Sequence, residues 1–337
     1  MKTGDPDLAL TLPYREPLPC GNLSAVPIPA ALTLIRTAAA LGVSSASALA
    51  FYAALGATRQ IRLAAFLVCS IVVALSPAII PLTDRPLRFA AALVSVTGLV
   101  KLYDMNSCSR PFCRPGFSSY AGYLLNAFWL VRRKTPPASC PKSDVRRLII
   151  NVPISVVALA AAVLVFGQDW AAVSFVVEHG LKVLCIYAVL VPAVNAMAAA
   201  TRLAGVPALD FMMNPAGAAT PGQFWRRWNL PAQQFLEEYA FKPAGGPRHS
   251  VRATLVTFAV SGVAHEYVFD IAAGRILGWQ LLFFAIQGLA VVATRRIRPS
   301  PRAKPVWLAA TFAFNLLSSI LFFNSVNAVV PFYGRGG

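Results

Sequence analysis

Long apolar runs that alternate with short basic loops constrain this chain more than any other feature of its sequence. Several of these runs reach or exceed the roughly 20 residues that cross a bilayer as an α-helix. Only 13% of the 337 residues are charged, which is about half the share usual in soluble domains. The pattern predicts an all-α, polytopic transmembrane protein with short interfacial or re-entrant helices between its spans.

About eight spans are predicted within residues 30–337, which we interpret as one integral membrane domain that follows a polar, Pro-rich tail at residues 1–29. Residues 120–131 are apolar but too short to cross, so they predict an interfacial or re-entrant helix. The predicted spans are residues 30–55, 63–81 with a kink at Pro77, 89–102, 148–166, 183–200, 253–269, 279–293 and 307–323.

Three polar residues interrupt the apolar stretch 170–200, so its first part is predicted to be an external helix that leads into the span. These residues are Glu178, His179 and Lys182. We interpret His179 as an interfacial histidine beside an i,i+4 pair of Glu178 with Lys182, and we interpret His249 as a loop residue.

The net charge of +17 raises the question of nucleic-acid binding, but the basic residues lie in short loops, where the positive-inside rule explains them. The loops at 56–62, 101–147, 200–252 and 295–304 hold 22 of the 30 Lys and Arg residues, and the opposite side holds six. The basic side is therefore predicted to face the cytoplasm. A composition rich in Ala, Arg, Gly and Pro favours a bacterial cytoplasmic membrane, or the endoplasmic reticulum in a eukaryote.

The six cysteines are scattered, with no CxxC pair and no histidine at ligand spacing. This spacing supports neither a metal site nor a disulfide framework. We therefore predict plain thiols and no metal. The cysteines are Cys20, Cys69, Cys108, Cys113, Cys140 and Cys185.

A polar, aromatic and basic segment opens the region 220–270, which we predict to be catalytic. Trp225 and Trp228 are predicted to share a helical face, because they are three residues apart. Pro231 disfavours helix at the residue before it and can open a new helix, so Asn229 is predicted to lie at a break between two short helices. An amide there can aim a donor and an acceptor at one point. An interfacial anchor is the alternative for Trp225, Arg226 and Arg227, although it leaves Asn229 unexplained.

His265 lies deep in the apolar span that follows, next to Glu266 and Tyr267. Polar groups in a span are costly, which makes them functional candidates. Ser261 shares a helical face with His265, and Gly262 permits close approach of another helix. A neutral imidazole can take a proton from a hydroxyl and return it. The alternative is a buried histidine whose ring is satisfied by a neighbouring carbonyl.

The segments Phe224-Trp225-Arg226-Arg227-Trp228-Asn229 and His265-Glu266-Tyr267 resemble the membrane-bound O-acyltransferase family. The first is similar to the F-x-x-x-W-N block of plant-type wax synthases, without the Gly that usually separates the Trp from the two Arg. The second is more similar to the sterol and diacylglycerol acyltransferase branch. The mixture leaves the acceptor open.

The resemblance implies transfer of a fatty acyl group from acyl-CoA, as co-substrate and with no further cofactor, to the hydroxyl of a lipophilic alcohol. His265 is then the general base, and Asn229 orients the substrate or stabilises the oxyanion. Trp225, Trp228 and Glu266 shape the chamber, with Ser261 and Tyr267 beside it. By position, Arg226, Arg227 and Lys242 are expected to meet CoA phosphates.

Two other functions remain open at the sequence level. A proton-coupled transporter could use His265 and Glu266 as a relay, although such proteins often have two related halves and none is visible here. An O-acyltransferase that acts on a glycan or a protein needs access from the far side, where the loops are short. We expect no nucleic-acid partner, a lipid-bilayer environment, and leave self-association open.

Overall fold

The computed structural model describes residues 30–107, 114–137 and 139–334. The predicted tail at residues 1–29 and the cysteines Cys108 and Cys113 lie outside the described residues. Within them, the regular elements are helices without strands, so the all-α prediction is confirmed. The α-helices are α1 Ala30–Ala50, α2 Arg59–Leu75, α3 Arg85–Ser107, α4 Phe117–Leu125, α5 Pro141–Phe166, α6 Phe175–Leu203, α7 Pro221–Trp225, α8 Leu230–Leu236, α9 Ser250–Ala273, α10 Trp279–Thr294 and α11 Lys304–Val329.

Seven helices in the described part are long and apolar enough to cross a membrane: α1, α2, α3, α5, α6, α9 and α11. The eighth predicted span corresponds to α10, which is apolar but has only 16 residues. At 1.5 Å per residue α10 is roughly 24 Å long, somewhat less than a hydrocarbon core of about 30 Å. The protein is an integral membrane protein with the predicted order of spans.

Charged residues extend two helices beyond the predicted spans. The third span was predicted at residues 89–102, whereas α3 continues to Ser107 because Lys101 and Asp104 are buried and hydrogen-bonded. The external helix predicted before residue 183 is also wrong, since α6 is continuous and contains Glu178, His179 and Lys182 in its buried face. The predicted i,i+4 pair is confirmed, with Lys182 Nζ 2.6 Å from Glu178 Oε1.

Two shorter features differ from expectation. The kink predicted at Pro77 is a helix end, because α2 stops at Leu75 and a 3-10 turn, Ser76–Ile79, follows it. The helix predicted at residues 120–131 is α4, which ends at Leu125. The rest of that segment is irregular, and Lys101 binds the carbonyl groups of Tyr123 and Leu124 at the end of α4 and of Asn126 just beyond it.

The helix α9 contains the second part of the predicted catalytic region and packs against α3, α10 and α11, while α5 and α6 pair with each other. Glycines allow the close approach of α9 and α10. A Cβ atom on Gly262 would lie 3.3 Å from Phe284 Cβ, and one on Gly288 would lie 3.0 Å from Phe258 Cβ. The predicted role of Gly262 is therefore confirmed.

Candidate active site

Asn229 separates two short helices, as predicted. Thr220 caps α7, since its Oγ1 accepts from the Gln223 amide at 3.2 Å. Asn229 has a left-handed backbone (φ 47°) and caps α8, because its Oδ1 accepts from the Ala232 amide at 3.2 Å. Asparagine tolerates this conformation better than other side chains do. The acceptor of the amide group is thus occupied, while its Nδ2 donor bonds no described residue.

Two backbone hydrogen bonds fix the Asn229 turn against the loop that follows α6. The Leu230 amide donates to the Phe211 carbonyl at 3.0 Å, and the Met213 amide donates to the Arg227 carbonyl at 2.9 Å. Asn195 of α6 holds this loop through both backbone groups of Met212, each at 3.0 Å. The turn is consequently anchored to a membrane-spanning helix.

The two tryptophans of the segment point to different helices, so the prediction of a shared face is wrong. The reason is that α7 ends at Trp225 and Trp228 lies in the turn beyond it. The Trp228 ring stacks on Phe224 and on Tyr187 of α6. The Trp225 ring instead lies against Phe258 of α9 and Phe284 of α10, with centroids 5.5 and 5.6 Å away.

His265 lies 15 residues after the start of α9, which places it roughly 22 Å along the helix. Its Nδ1 is 2.8 Å from the Ser261 carbonyl oxygen. Because a carbonyl oxygen only accepts, Nδ1 carries a proton and Nε2 is the basic nitrogen of the neutral ring. No group in the described part of the chain hydrogen-bonds Nε2. The ring centroid is 4.5 Å from that of Phe284.

Glu266 and Tyr267 are engaged with other helices. The buried Glu266 carboxylate accepts from the amides of Gly278, Gln280 and Leu281, the last two at 2.9 Å. It therefore caps the first turn of α10, where a negative charge is favourable. The Tyr267 hydroxyl donates to the Ala74 carbonyl of α2 at 2.8 Å.

The basic residues near Asn229 differ in how much of their charge is already compensated. Arg226 is exposed, and Arg227 donates to the Asn214 carbonyl at 3.2 Å. Lys242 is paired with Glu238 at 2.9 Å. Burial opposes ionisation of Glu238, but the Lys242 hydrogen bond and the nearby basic charges hold the pKa of Glu238 below its ordinary value.

The aromatic ring of Phe284 connects the Asn229 segment to His265, since it contacts both Trp225 and the imidazole. No hydrogen bond joins Asn229 to His265 among the described residues. Sequence reasoning missed Gln287, which is 1% exposed. Its Oε1 accepts from Trp225 Nε1 at 3.0 Å, and its Nε2 donates to Ser318 Oγ at 2.9 Å. The sequence did contain an indication, because Gln287 is a polar amide inside a predicted apolar span.

The described residues contain no group of three or more His, Cys, Asp or Glu side chains that could hold a metal ion. Cys69, Cys140 and Cys185 are free thiols. With His265 Nδ1 and Asn229 Oδ1 engaged, the imidazole Nε2 and the amide Nδ2 are the groups that could take part in proton transfer and hydrogen bonding beside the aromatic cluster.

The fold and site define a polytopic helical membrane protein. It has a histidine inside a spanning helix and a polar, aromatic segment whose Trp225 ring packs on the phenylalanine next to that histidine. The sequence model of the membrane-bound O-acyltransferase family matches residues 141–326. This match covers 186 of the 337 residues, so the chain belongs to that family of acyltransferases. Both Asn229 and His265 lie inside it. No curated protein matches the chain.

Proposed function

We propose that the protein transfers a fatty acyl group from acyl-CoA to the hydroxyl of a lipophilic acceptor, in the manner of the wax synthase, sterol and diacylglycerol acyltransferase branch of its family. The acceptor is a fatty alcohol, a diacylglycerol, a sterol or a hydroxylated secondary metabolite. The acyl transfer takes place in one membrane domain, and the membrane is a bacterial cytoplasmic membrane or the endoplasmic reticulum of a eukaryote.

The observation that carries the proposal is the state of the His265 ring. Its Nδ1 is engaged by the Ser261 carbonyl at 2.8 Å, and its Nε2 is the nitrogen that can accept a proton. Nε2 takes the proton of the acceptor hydroxyl as the oxygen attacks the thioester carbonyl carbon. The C–S bond then breaks, and the CoA sulfur receives that proton from Nε2. The products are the ester and CoA thiol.

Asn229 supplies the second part of the chemistry. Because its Oδ1 accepts from the Ala232 amide, the Nδ2 group is left as a donor. A donor fixed by a helix cap and by two backbone hydrogen bonds is suited to stabilise the oxyanion that forms on the thioester oxygen. Trp225 and Trp228 shape the chamber around it. Ser261 and Glu266 act indirectly, by orienting His265 and by capping α10.

Acyl-CoA reaches the site from the basic face of the membrane. Arg226 and Arg227 are the residues proposed to meet its phosphates, because guanidinium groups bind phosphate in bidentate fashion. Lys242 is a weaker candidate than the sequence suggested, since Glu237 and Glu238 already neutralise it. The connections on the opposite side, residues 76–84, 167–174 and 274–278, are short, which favours an acceptor that enters from the bilayer rather than a glycan.

A proton-coupled transporter is disfavoured by the position of Glu266. A relay requires the carboxylate to exchange protons with its partners, whereas this one is fixed by three backbone amides. Family membership points the same way.

The test is comparative lipidomics of cells with and without the gene, followed by assay of the purified protein in lipid nanodiscs. Labelled acyl-CoA is supplied with a fatty alcohol, a diacylglycerol, a sterol or a glycan. We expect a labelled neutral ester with one lipophilic acceptor. Substrate-driven proton flux in proteoliposomes without ester formation contradicts the proposal, and transfer to the glycan alone contradicts the acceptor class.

A further inference from the structure

Asp104, near the C-terminal end of α3, joins three parts of the molecule. Its carboxylate is 1% exposed. One oxygen, Oδ2, accepts from the Tyr123 hydroxyl at 2.8 Å and from the Arg132 amide at 3.0 Å. The other, Oδ1, accepts from the Tyr239 hydroxyl at 2.7 Å. Burial of a charge is costly unless hydrogen-bond donors compensate it. The donors to Asp104 come from elements far apart in the chain.

The segment 114–137, to which Tyr123 and Arg132 belong, is firmly attached to the membrane helices. Lys101 Nζ donates to the carbonyl oxygens of Tyr123, Leu124 and Asn126 at 2.5, 3.0 and 2.6 Å. With its own backbone fixed in this way, the segment can act as a rigid support for whatever binds to it.

What binds to this support is the chain that follows Asn229. The helix α8 continues into a π-helical turn, Glu237–Phe241, which carries Tyr239. Arg133 forms an ion pair with Glu238 of the same turn, and Lys134 lies 3.5 Å from it. The Tyr239 ring also forms an edge-to-face contact with Tyr103 in α3, with centroids 5.3 Å apart. The far end of the α8 unit is therefore bound to α3 and to segment 114–137.

The near end of the same unit is Asn229, whose side chain caps α8. Residues 230–241 form one continuous helical element, roughly 18 Å long at 1.5 Å per residue. Because the element is continuous, a small rotation at Tyr239 would displace the Asn229 amide at its other end. Misplacement of a reacting group by about 1 Å can cost about 10²-fold in rate, so the anchorage at Tyr239 bears on the chemistry.

We infer that Asp104 is a positioning residue for Asn229, which it acts on through Tyr239 and α8. This inference rests on the proposed function. It also extends the working site beyond residues 141–326, the part that matches the family, because Asp104 and segment 114–137 precede that part. Burial and the Asp104 charge raise the pKa of Tyr123, so its hydroxyl remains a donor to the carboxylate.

The experiment compares three single variants in nanodiscs. Tyr239→Phe removes the hydrogen bond to Asp104 and keeps the ring, while Asp104→Asn removes the charge. Tyr120→Phe is the matched control: it removes the hydrogen bond from a buried hydroxyl to the Ala48 carbonyl of α1, which does not touch α8, and Lys101 still holds the segment through three carbonyl groups. We expect Tyr239→Phe and Asp104→Asn to lower kcat by about tenfold with little change in the KM for acyl-CoA. Tyr120→Phe should keep the wild-type kcat.

A double variant separates positioning from general loosening. If Tyr239 acts through Asn229, adding Tyr239→Phe to Asn229→Gly lowers kcat no further, because coupled residues are not additive. If the kcat losses of Tyr239→Phe and Asn229→Gly multiply in the double variant, the two residues act independently and the inference is overturned. A kcat loss in Tyr120→Phe equal to that in Tyr239→Phe overturns it as well. The inference is also overturned if Tyr239→Phe and Asp104→Asn both keep the wild-type kcat although Asn229→Gly has a lower one. Failure of the wild type to transfer acyl groups instead contradicts the proposed function.

Discussion

Two histidines lie inside spanning helices, each beside a glutamate in the sequence, and they differ in the state of their ring nitrogens. In α6, His179 has both nitrogens engaged. Its Nδ1 is 2.8 Å from the Tyr333 hydroxyl, and its Nε2 is 3.0 Å from the Leu316 carbonyl oxygen. In α9, His265 engages only Nδ1. The first ring is part of a closed hydrogen-bond network, and the second keeps a basic nitrogen available.

The neighbouring acids do not separate the two sites. Glu178 accepts from Lys182 and from the Gly334 amide, at 2.6 and 2.7 Å. Glu266 accepts from three backbone amides. Both carboxylates therefore hold structure together, so a His–Glu pair in a span is not in itself evidence of a proton relay. A ring nitrogen without a hydrogen-bond partner among the described residues is what distinguishes the candidate base from the structural histidine.

The largest difference between the two sites should appear when each imidazole is removed. His265→Ala should lower acyl transfer by about 10²-fold or more, the usual scale for loss of general-base help. The protein should still insert, because a span without the polar ring is easier to insert. His179→Ala should leave the rate per folded molecule close to that of the wild type. The check is the initial rate, normalised to monodisperse protein. Equal losses in both variants would falsify the assignment of the base.

Asn229 and Asn214 provide a second, closely matched pair. Both have a left-handed backbone, with φ of 47° and 50°, and each caps the turn that follows. Replacement by glycine removes the side chain and retains this backbone conformation without strain. Asn229→Gly should lower kcat by about 10²-fold, as for loss of one oxyanion donor, with acyl-CoA affinity retained.

Asn214→Gly is the control, and its kcat should stay close to the wild-type value. Its backbone carbonyl, which accepts from Arg227, is kept in the variant. The two variants are compared by single-turnover rates and by equilibrium binding of acyl-CoA. A similar loss of kcat in both variants points to loop geometry rather than to the Asn229 amide.

The closed network around His179 should matter for stability instead of rate. Lys182→Met leaves the buried Glu178 carboxylate without its cation, which costs about 3–5 kcal/mol of unfolding free energy. Lys242→Met breaks an ion pair whose lysine side chain is 50% exposed, and such surface pairs contribute about 0–1 kcal/mol. Thermal unfolding in detergent measures both. A Tm that falls no further in Lys182→Met than in Lys242→Met contradicts the structural role.

The sequence was sufficient for the spans and for the break at Asn229, for physical reasons. Long apolar runs in lipid have few alternatives to helix, because each backbone group needs a partner inside its own segment. The break followed from Pro231, whose ring restricts the residue before it. These are local effects, so they can be read from neighbouring residues.

Partners brought together by tertiary structure could not be read in this way. The extension of α3 past Lys101 depends on carbonyl groups that lie more than 20 residues further along the chain. The capping role of Glu266 depends on the return of the chain at Gly278. Likewise, the different directions of Trp225 and Trp228 depend on where α7 ends. In each case the deciding group is distant in sequence or set by a helix terminus.

The smallest expected effect concerns the orientation of the chain in the membrane, because one cysteine should not be labelled from outside the cell. Cys140 is exposed and precedes α5 on the basic side of the membrane. The charge imbalance predicts that this side faces the cytoplasm. A variant that retains only Cys140 should therefore react with an impermeant maleimide in permeabilised cells and fail to react in intact ones. Ala172→Cys in a cysteine-free chain is the opposite control, because exposed Ala172 lies between α5 and α6 on the far side. Rapid labelling of Cys140 in intact cells contradicts the topology, and with it the route by which acyl-CoA reaches His265.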